Sequence, residues 1–289
     1  MSEFLIAIAS GKGGTGKTTV AAALALALSK RFAEAQFIDC DVEAPDAAYF
    51  LKPTIENSTP VEVQLPVVDR EKCTGCGECQ AACQYNAIRV VSGKAELLAE
   101  SCIACGGCKL VCPADAITEK AQRIGVVESG ETENLIFHRG RLDPGFPLST
   151  PLIRGLKAIA RADVTTVIDC GSGTASDVIA AIRGSDYCIL VAEPTPFGLQ
   201  SLRQILGVVN EIGVPAGIIV NKDEASGSGI DAYASEAGVP ILMRIPFNKE
   251  IASLGSKGVP LTETDTSWDQ TFWEMYENLV RAIWKSRSR

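Results

Sequence analysis

The sequence predicts a doubly wound, mostly parallel α/β sheet interrupted by a small cysteine-rich α+β insertion. Three observations carry that expectation. Short apolar runs alternate with helical stretches along most of the chain, the pattern of parallel strands linked by helices. A glycine-rich loop, residues 11–19, separates the first run from the first helical stretch. Eight of the eleven cysteines fall into two copies of Cys-x2-Cys-x2-Cys-x3-Cys: Cys73, Cys76, Cys79, Cys83 and Cys102, Cys105, Cys108, Cys112.

With 289 residues, 46% of them hydrophobic, the chain can bury one large core and a second small one. Its net charge of -8 argues against the basic face that unspecific nucleic-acid binding needs. No apolar run reaches the length of a membrane span.

The first run, 4–9, reads as a buried strand leading into Gly11-Lys12-Gly13-Gly14-Thr15-Gly16-Lys17-Thr18-Thr19. Gly11-x4-Gly16-Lys17-Thr18 satisfies the P-loop pattern, and it stands between a strand and a helix as that pattern requires. The glycines let backbone N–H groups curl around a β-phosphate at the N-terminus of the helix predicted over 18–30. Lys17 is expected to reach the β- and γ-oxygens, and the Thr18 hydroxyl to ligate Mg²⁺. A glycine turn without a ligand is the alternative, and the complete motif in its full context weighs against it.

The second run, 36–38, ends at Asp39-Cys40-Asp41. The cysteine block then occupies about 66–120, too short a segment to fold on apolar burial alone, so bound metal must serve as its core. Every cysteine of the second copy lies 29 positions after its counterpart, and Ala87-Ile88 maps onto Ala116-Ile117 by the same shift. The block is an internal duplication. Zinc would need only two Cys-x2-Cys pairs, leaving the third cysteine and the x3 spacing without a role. Disulfides imply an oxidising compartment, whereas the first strand begins with no secretory segment before it, so a reducing cytoplasm is expected. The predicted domains are 1–65 and 121–289, forming the α/β part, and the insertion 66–120.

Residues 121–148 are polar and turn-rich, and no element is assigned there. Runs at 164–168, 188–192, 216–220 and 241–245 resume the strands, with helical stretches at 175–182 and 199–212 between them. Phe272, Tyr276, Leu279 and Ile283 share one helical face, expected to dock on the sheet. The basic tail 285–289 is too short to act as a membrane anchor. Cys40, Cys170 and Cys188 are expected as small buried cysteines, and His138 as a surface residue.

The spacing of the two cysteine copies, with Pro113 after Cys112, resembles that of bacterial two-cluster ferredoxins. That resemblance implies two [4Fe-4S] clusters, with the fourth cysteine of each copy crossing to the other cluster. Cluster I would take Cys73, Cys76, Cys79 and Cys112; cluster II would take Cys102, Cys105, Cys108 and Cys83. Gln84 stands where a second proline would follow Cys83, a departure that concerns the turn beside the cluster.

The nine-residue loop, with Lys12 directly after its first glycine, resembles the deviant Walker A of the MinD, ParA and nitrogenase iron-protein class. The resemblance implies a P-loop NTPase fold that binds ATP or ADP with Mg²⁺. It also implies an ATP-dependent homodimer, or a heterodimer with a similar ATPase, in which Lys12 reaches the partner's phosphates. Asp39-Cys40-Asp41 resembles the family's switch I, where Asp41 would position or deprotonate the attacking water and Asp39 would support Mg²⁺ through its waters. Asp169 resembles the Walker B aspartate, although Cys170-Gly171-Ser172-Gly173-Thr174 replaces the usual Pro-Pro-Gly turn. Asn221 resembles the adenine-reading asparagine, and Pro246-Phe247 the segment that closes over the purine.

Together these segments resemble a MinD-superfamily P-loop ATPase carrying an inserted two-cluster ferredoxin domain. The implied function is an ATPase whose nucleotide cycle is coupled to electron transfer or iron–sulfur handling for a redox or iron–sulfur client. An ATP-regulated cluster scaffold or carrier is one alternative. A MinD- or ParA-like positioning ATPase with a redox-sensing insertion is the other.

Overall fold

The computed structural model describes residues 3–224 and 229–287; Ser288 and Arg289, the end of the basic tail, lie outside the described residues. The chain begins with β1 (Leu5–Ser10), α1 (Lys17–Ser29), β2 (Ala35–Asp39), α2 (Ala47–Leu51) and β3 (Thr54–Val68). Next come α3 (Glu78–Ala82), β4 (Ile88–Val91), β5 (Lys94–Leu97), α4 (Gly107–Leu110), β6 (Ile117–Thr132) and β7 (Leu135–Leu142). The α/β alternation resumes with α5 (Ser149–Ala158), β8 (Thr166–Ser172), α6 (Ser176–Ile182), β9 (Tyr187–Ala192) and α7 (Pro196–Ile212). It closes with β10 (Ala216–Asp223), α8 (Ile230–Ala237), β11 (Ile241–Pro246), α9 (Lys249–Gly255), α10 (Leu261–Thr264) and α11 (Thr266–Arg287).

Nine strands form one sheet in the order β11-β10-β9-β1-β8-β2-β7-β6-β3. From β11 to β7 every neighbouring pair is parallel. Strands of this kind are covered on both faces, which is why β1, β2 and β9 are continuous apolar or near-apolar runs rather than alternating ones. The apolar α1 is buried nearly all round, with Val20, Leu24 and Leu28 in the same core as Phe37 and Phe137, whose rings stack at 5.9 Å. α7 starts where Thr195 accepts a hydrogen bond from the Gly198 N–H at 2.9 Å, with Pro196 in the first turn, and stops at Gly213. On α11, Phe272, Tyr276, Leu279 and Ile283 are buried in that core, and the Tyr276 hydroxyl lies 3.1 Å from the Thr165 hydroxyl. No helix among the described residues is long and apolar enough to cross a membrane.

The polar stretch 121–148 differs from its turn-rich appearance in sequence. It forms most of β6 and all of β7, joined at Glu133-Asn134, and β7 lies parallel to β2 from Leu135↔Ala35 to Arg139↔Asp39. Within these two strands from residue 121 on, only Ile124, Leu135 and Phe137 supply large buried apolar side chains. The rest is polar pairing, including Arg139–Glu128 at 2.6 Å and His138 Nδ1 to the Ser129 hydroxyl at 2.8 Å. His138 is therefore half-buried rather than on the surface, and burial pulls its imidazole pKa down. Cys40, Cys170 and Cys188 are all buried, as small apolar side chains commonly are.

The chain divides into two compact units, one of Met1–Ser58, Val127–Arg141 and Ile153–Arg289, the other of Thr59–Val126 and Leu142–Leu152. The second has a small core of Cys73, Cys79, Ile88, Ala95, Ala116 and Ile117. Its duplication extends to the backbone: left-handed residues recur 29 positions apart at Gly75 and Ala104, Gly77 and Gly106, and Asn86 and Asp115.

Candidate functional site

The loop between β1 and α1 is held in shape by two close approaches that only glycine permits. A Cβ on Gly11 would stand 2.0 Å from the Ser201 carbonyl oxygen on α7. Gly16 caps α1 at φ 86°, and a Cβ there would meet the Asn221 side-chain amide at 2.2 Å. Lys17, Thr18 and Thr19 then form the first turn of α1, Lys17 buried and the two threonines half-buried. This is a helix N-terminus with its free N–H groups behind a glycine loop containing Gly13, Gly14 and Thr15, the arrangement that receives phosphate.

Two adjacent parallel strands bring the aspartates to Lys17. β2 and β8 are in register with Asp39 opposite Asp169, so both carboxylates reach the same level. Lys17 Nζ lies 2.7 Å from Asp169 Oδ1 and 3.6 Å from Asp41 Oδ2. Asp39 accepts from the Asp41 N–H at 3.1 Å and the Ala47 N–H at 3.2 Å. Burial alone would lower the Lys17 pKa, but the Asp169 charge and hydrogen bond raise it overall, so the ammonium stays charged. Burial, followed by the like charge of Asp169, pushes Asp39 well above the ordinary carboxylate range, and burial is also the main cause of the upward shift at Asp41. Asp169 Oδ2 is buried without a hydrogen-bond partner among the described residues. An orphaned carboxylate oxygen, a second carboxylate and a threonine hydroxyl in the first turn form the oxygen-rich donor set that suits Mg²⁺.

A measurable consequence follows from the sign of the Asp39 shift. Without a cation, Asp39 keeps its proton to higher pH than it would in the unfolded chain, so stability falls as pH rises from the ordinary carboxylate range through the raised folded value. Mg²⁺ with nucleotide favours the ionised carboxylate. Binding within that pH window should therefore release up to about one proton, read by calorimetry in buffers of different ionisation enthalpy. Asp39→Asn should abolish the release. Zero release across the window by the unaltered protein would contradict this account of Asp39.

Around the loop, Glu193 sits between two lysines. It pairs with Lys12 through Oε2, and Lys222 lies 2.5 Å from its Oε1. Lys222 Nζ also donates to the Gly14 carbonyl at 2.8 Å, and Asn221 Nδ2 donates to the Thr15 carbonyl at 2.7 Å. Burial opposes ionisation of Glu193, but the hydrogen bonds from Lys12 and Lys222 outweigh it and hold the carboxyl below its usual range. Lys12 is thus engaged within its own chain. Beside the loop a cleft is lined by Thr19, Asn221, Ile245, Pro246 and Phe247, placing Asn221, Pro246 and Phe247 around one space next to Gly16.

The eight repeat cysteines carry free thiols and line two separate cavities. One is lined by Cys73, Cys76, Cys79 and Cys112, the other by Cys83, Cys102, Cys105 and Cys108. Among the described residues, no three His, Cys, Asp or Glu side chains are gathered as a site for a single metal ion. Four thiols spread around a cavity fit a larger group, whose ligands stand farther apart than those of one ion. Backbone N–H groups also point at the sulfurs: Ala87 to Cys83 at 3.3 Å, and Ala95 to Cys73, Ala104 to Cys102 and Ala116 to Cys112 at 3.4 Å each. The N–H groups of Ala95 and Gly75 lower the Cys73 pKa, favouring thiolate.

The sequence matches the CobQ/CobB/MinD/ParA nucleotide binding domain over residues 6–261. The chain belongs to that family. An uncharacterized protein of Methanocaldococcus jannaschii is 27% identical over 89% of this chain and 91% of its own length. An iron-sulfur cluster carrier protein of Pyrococcus horikoshii is 23% identical over 97% of this chain and 87% of its own. The septum site-determining protein MinD of Pyrococcus horikoshii, solved with Mg-ADP, superposes with a TM-score of 0.59 at 21% identity, covering 96% of each chain. In this MinD/ParA-like ATPase family member, Glu193 and Lys222 close the network around the loop. Neither role is legible in sequence, because the partners of Glu193 lie 181 and 29 residues away.

Proposed function

We propose that this protein is a Mg²⁺-dependent ATPase that holds two [4Fe-4S] clusters and couples its nucleotide cycle to electron transfer or iron–sulfur handling. The observation that carries the reading is the sorting of eight free cysteines into two cavities within a chain that also contains a P-loop site. The quartets are Cys73, Cys76, Cys79, Cys112 and Cys102, Cys105, Cys108, Cys83, in an insertion over about 66–120 between ATPase segments 1–65 and 121–289. When bound, each cluster supplies a one-electron carrier. The chain's own residues do the rest. Lys17 exchanges Asp169 for the β- and γ-oxygens of ATP; Thr18, Asp39 and Asp169 hold Mg²⁺ directly or through its waters; Asp41 orients the attacking water. Asn221, Pro246 and Phe247 form the purine end of the site.

Lys12 leaves Glu193 for the phosphates of a second copy, or of a similar ATPase, in an ATP-dependent dimer. Asp41→Asn should then trap ATP and stabilise the dimer, whereas Lys12→Ala should retain ATP binding and lose turnover. Light scattering with an ATPase assay reads both, and a strictly monomeric protein with normal turnover would sink the assignment of Lys12. Coupling is tested by redox titration of the anaerobic protein with ADP and of Asp41→Asn with ATP. Coupling predicts a shifted midpoint for at least one cluster, and identical midpoints remove it. A second reading, an ATP-regulated cluster carrier, is favoured by the resemblance to the iron-sulfur cluster carrier of Pyrococcus horikoshii. Intact cluster transfer to an apo-protein client would select that reading. In either case the client is a redox or iron–sulfur protein of the cytoplasm.

A further inference from the structure

One hydrogen bond to a cysteine sulfur departs from the duplication. Ala87 to Cys83 is matched by Ala116 to Cys112, whereas Cys102 is bonded by Ala104 of its own loop and Cys73 by Ala95 of the β4–β5 hairpin. The bond from the Ala95 N–H to Cys73 Sγ, at 3.4 Å, has no counterpart. The residue 29 positions later is Ile124, in β6. Ala95 is available because β4 and β5 form a hairpin with Val91 opposite Lys94 and Val90 opposite Ala95. In an antiparallel ladder every second residue turns its N–H away from its partner strand. That of Ala95 goes to Cys73.

The two quartets receive two such bonds each, and it is charge that distinguishes them. Lys94 Nζ donates to the Cys73 carbonyl at 2.6 Å, placing an ammonium beside that cysteine. Its counterpart 29 positions later, Arg123, is paired with Asp143 at 3.0 Å. Lys109, the residue after Cys108, is paired with Glu119 at 2.7 Å. Water access does not offset this at the leading cysteines: Cys73 and Cys102 are each 8% exposed, and Cys76 and Cys105 are both exposed.

We propose that the β4–β5 hairpin, through the Lys94 ammonium that it sets beside Cys73, gives the Cys73 quartet a higher reduction potential than the Cys102 quartet. This inference rests on the reading that both quartets hold clusters. Reduction adds one negative charge at a quartet, and a nearby cation stabilises the added charge. At equilibrium the first electron then resides at the Cys73 quartet.

The test uses the full chain, prepared anaerobically, with iron and sulfide counted first. Protein without clusters refutes the underlying reading and is recognised at that step. With clusters present, titration with dithionite followed by electron paramagnetic resonance should resolve two one-electron midpoints. Lys94→Gln, which leaves the backbone unchanged, should lower the higher midpoint by roughly threefold to tenfold in the redox equilibrium, where tenfold corresponds to about 59 mV. The lower midpoint should stay in place. Coincident midpoints in the unaltered protein, an unmoved higher midpoint in Lys94→Gln, or a shift of the lower one instead overturns the proposal.

Discussion

Lys17→Ala is expected to destabilise the nucleotide-free protein by about 3–5 kcal/mol and to weaken ATP binding by roughly a hundredfold. The two losses have different causes. The Lys17 side chain is 7% exposed and Asp169 is 1% exposed, with 2.7 Å between their charged atoms. Removing one partner of such a buried pair leaves an uncompensated charge, and here Asp169 already has one oxygen without a partner. Nucleotide binding loses instead the charge-assisted bond to the phosphate oxygens, worth about 1.5–3 kcal/mol. The double variant Lys17→Ala/Asp169→Asn separates the two: it should recover most of the stability and none of the affinity. Urea denaturation and titration with a fluorescent ATP analogue read both quantities. Lys17→Ala protein as stable as the unaltered chain would show that the pair contributes nothing before nucleotide arrives.

Much of this arrangement was legible in the sequence because its signals are local. The strands β1, β2, β8, β9, β10 and β11 are short, largely apolar runs, the central ones covered on both faces, and the helices α1, α6 and α7 fall between them. The loop at Gly11–Thr19 is a contiguous motif, so its place before α1 could be read directly. What escaped notice depends on distant partners. β6 and β7 pair through Arg139–Glu128 and His138–Ser129, polar contacts that leave no apolar period to detect. The Lys12–Glu193–Lys222 network joins three segments whose proximity exists only once β1, β9 and β10 are neighbours in the sheet. The Ala95 N–H is invisible for a further reason: it is a backbone group, and its direction is set by the register of a four-residue hairpin strand.

Cys112→Ser should remove iron from the quartet of the first repeat, although Cys112 belongs to the second. It lines the cavity of Cys73, Cys76 and Cys79, while Cys83 lines that of Cys102, Cys105 and Cys108. The unaltered protein should carry ~8 Fe per chain and either single variant ~4. Pairs of substitutions decide the pairing, because two changes at one cluster cannot remove it twice. Cys112→Ser with Cys76→Ser should still leave ~4 Fe, whereas Cys112→Ser with Cys105→Ser should leave almost none. Uncrossed ligation predicts the reverse for both pairs, so iron and sulfide counts on these two proteins suffice. The iron-free variant should also lose the fold of its cysteine unit. Apart from cysteines, the core packed around the two quartets holds only Ile88, Ala95, Ala116 and Ile117 as buried apolar side chains, too few to offset the entropy of ordering the segment that carries the cysteines. Limited proteolysis should therefore cut within Thr59–Val126 when both quartets are broken and spare it when only one is. Equal resistance in all variants would mean that the unit folds without iron, and its stability would then have to come from the β4–β5 hairpin and the strands β3 and β6 alone.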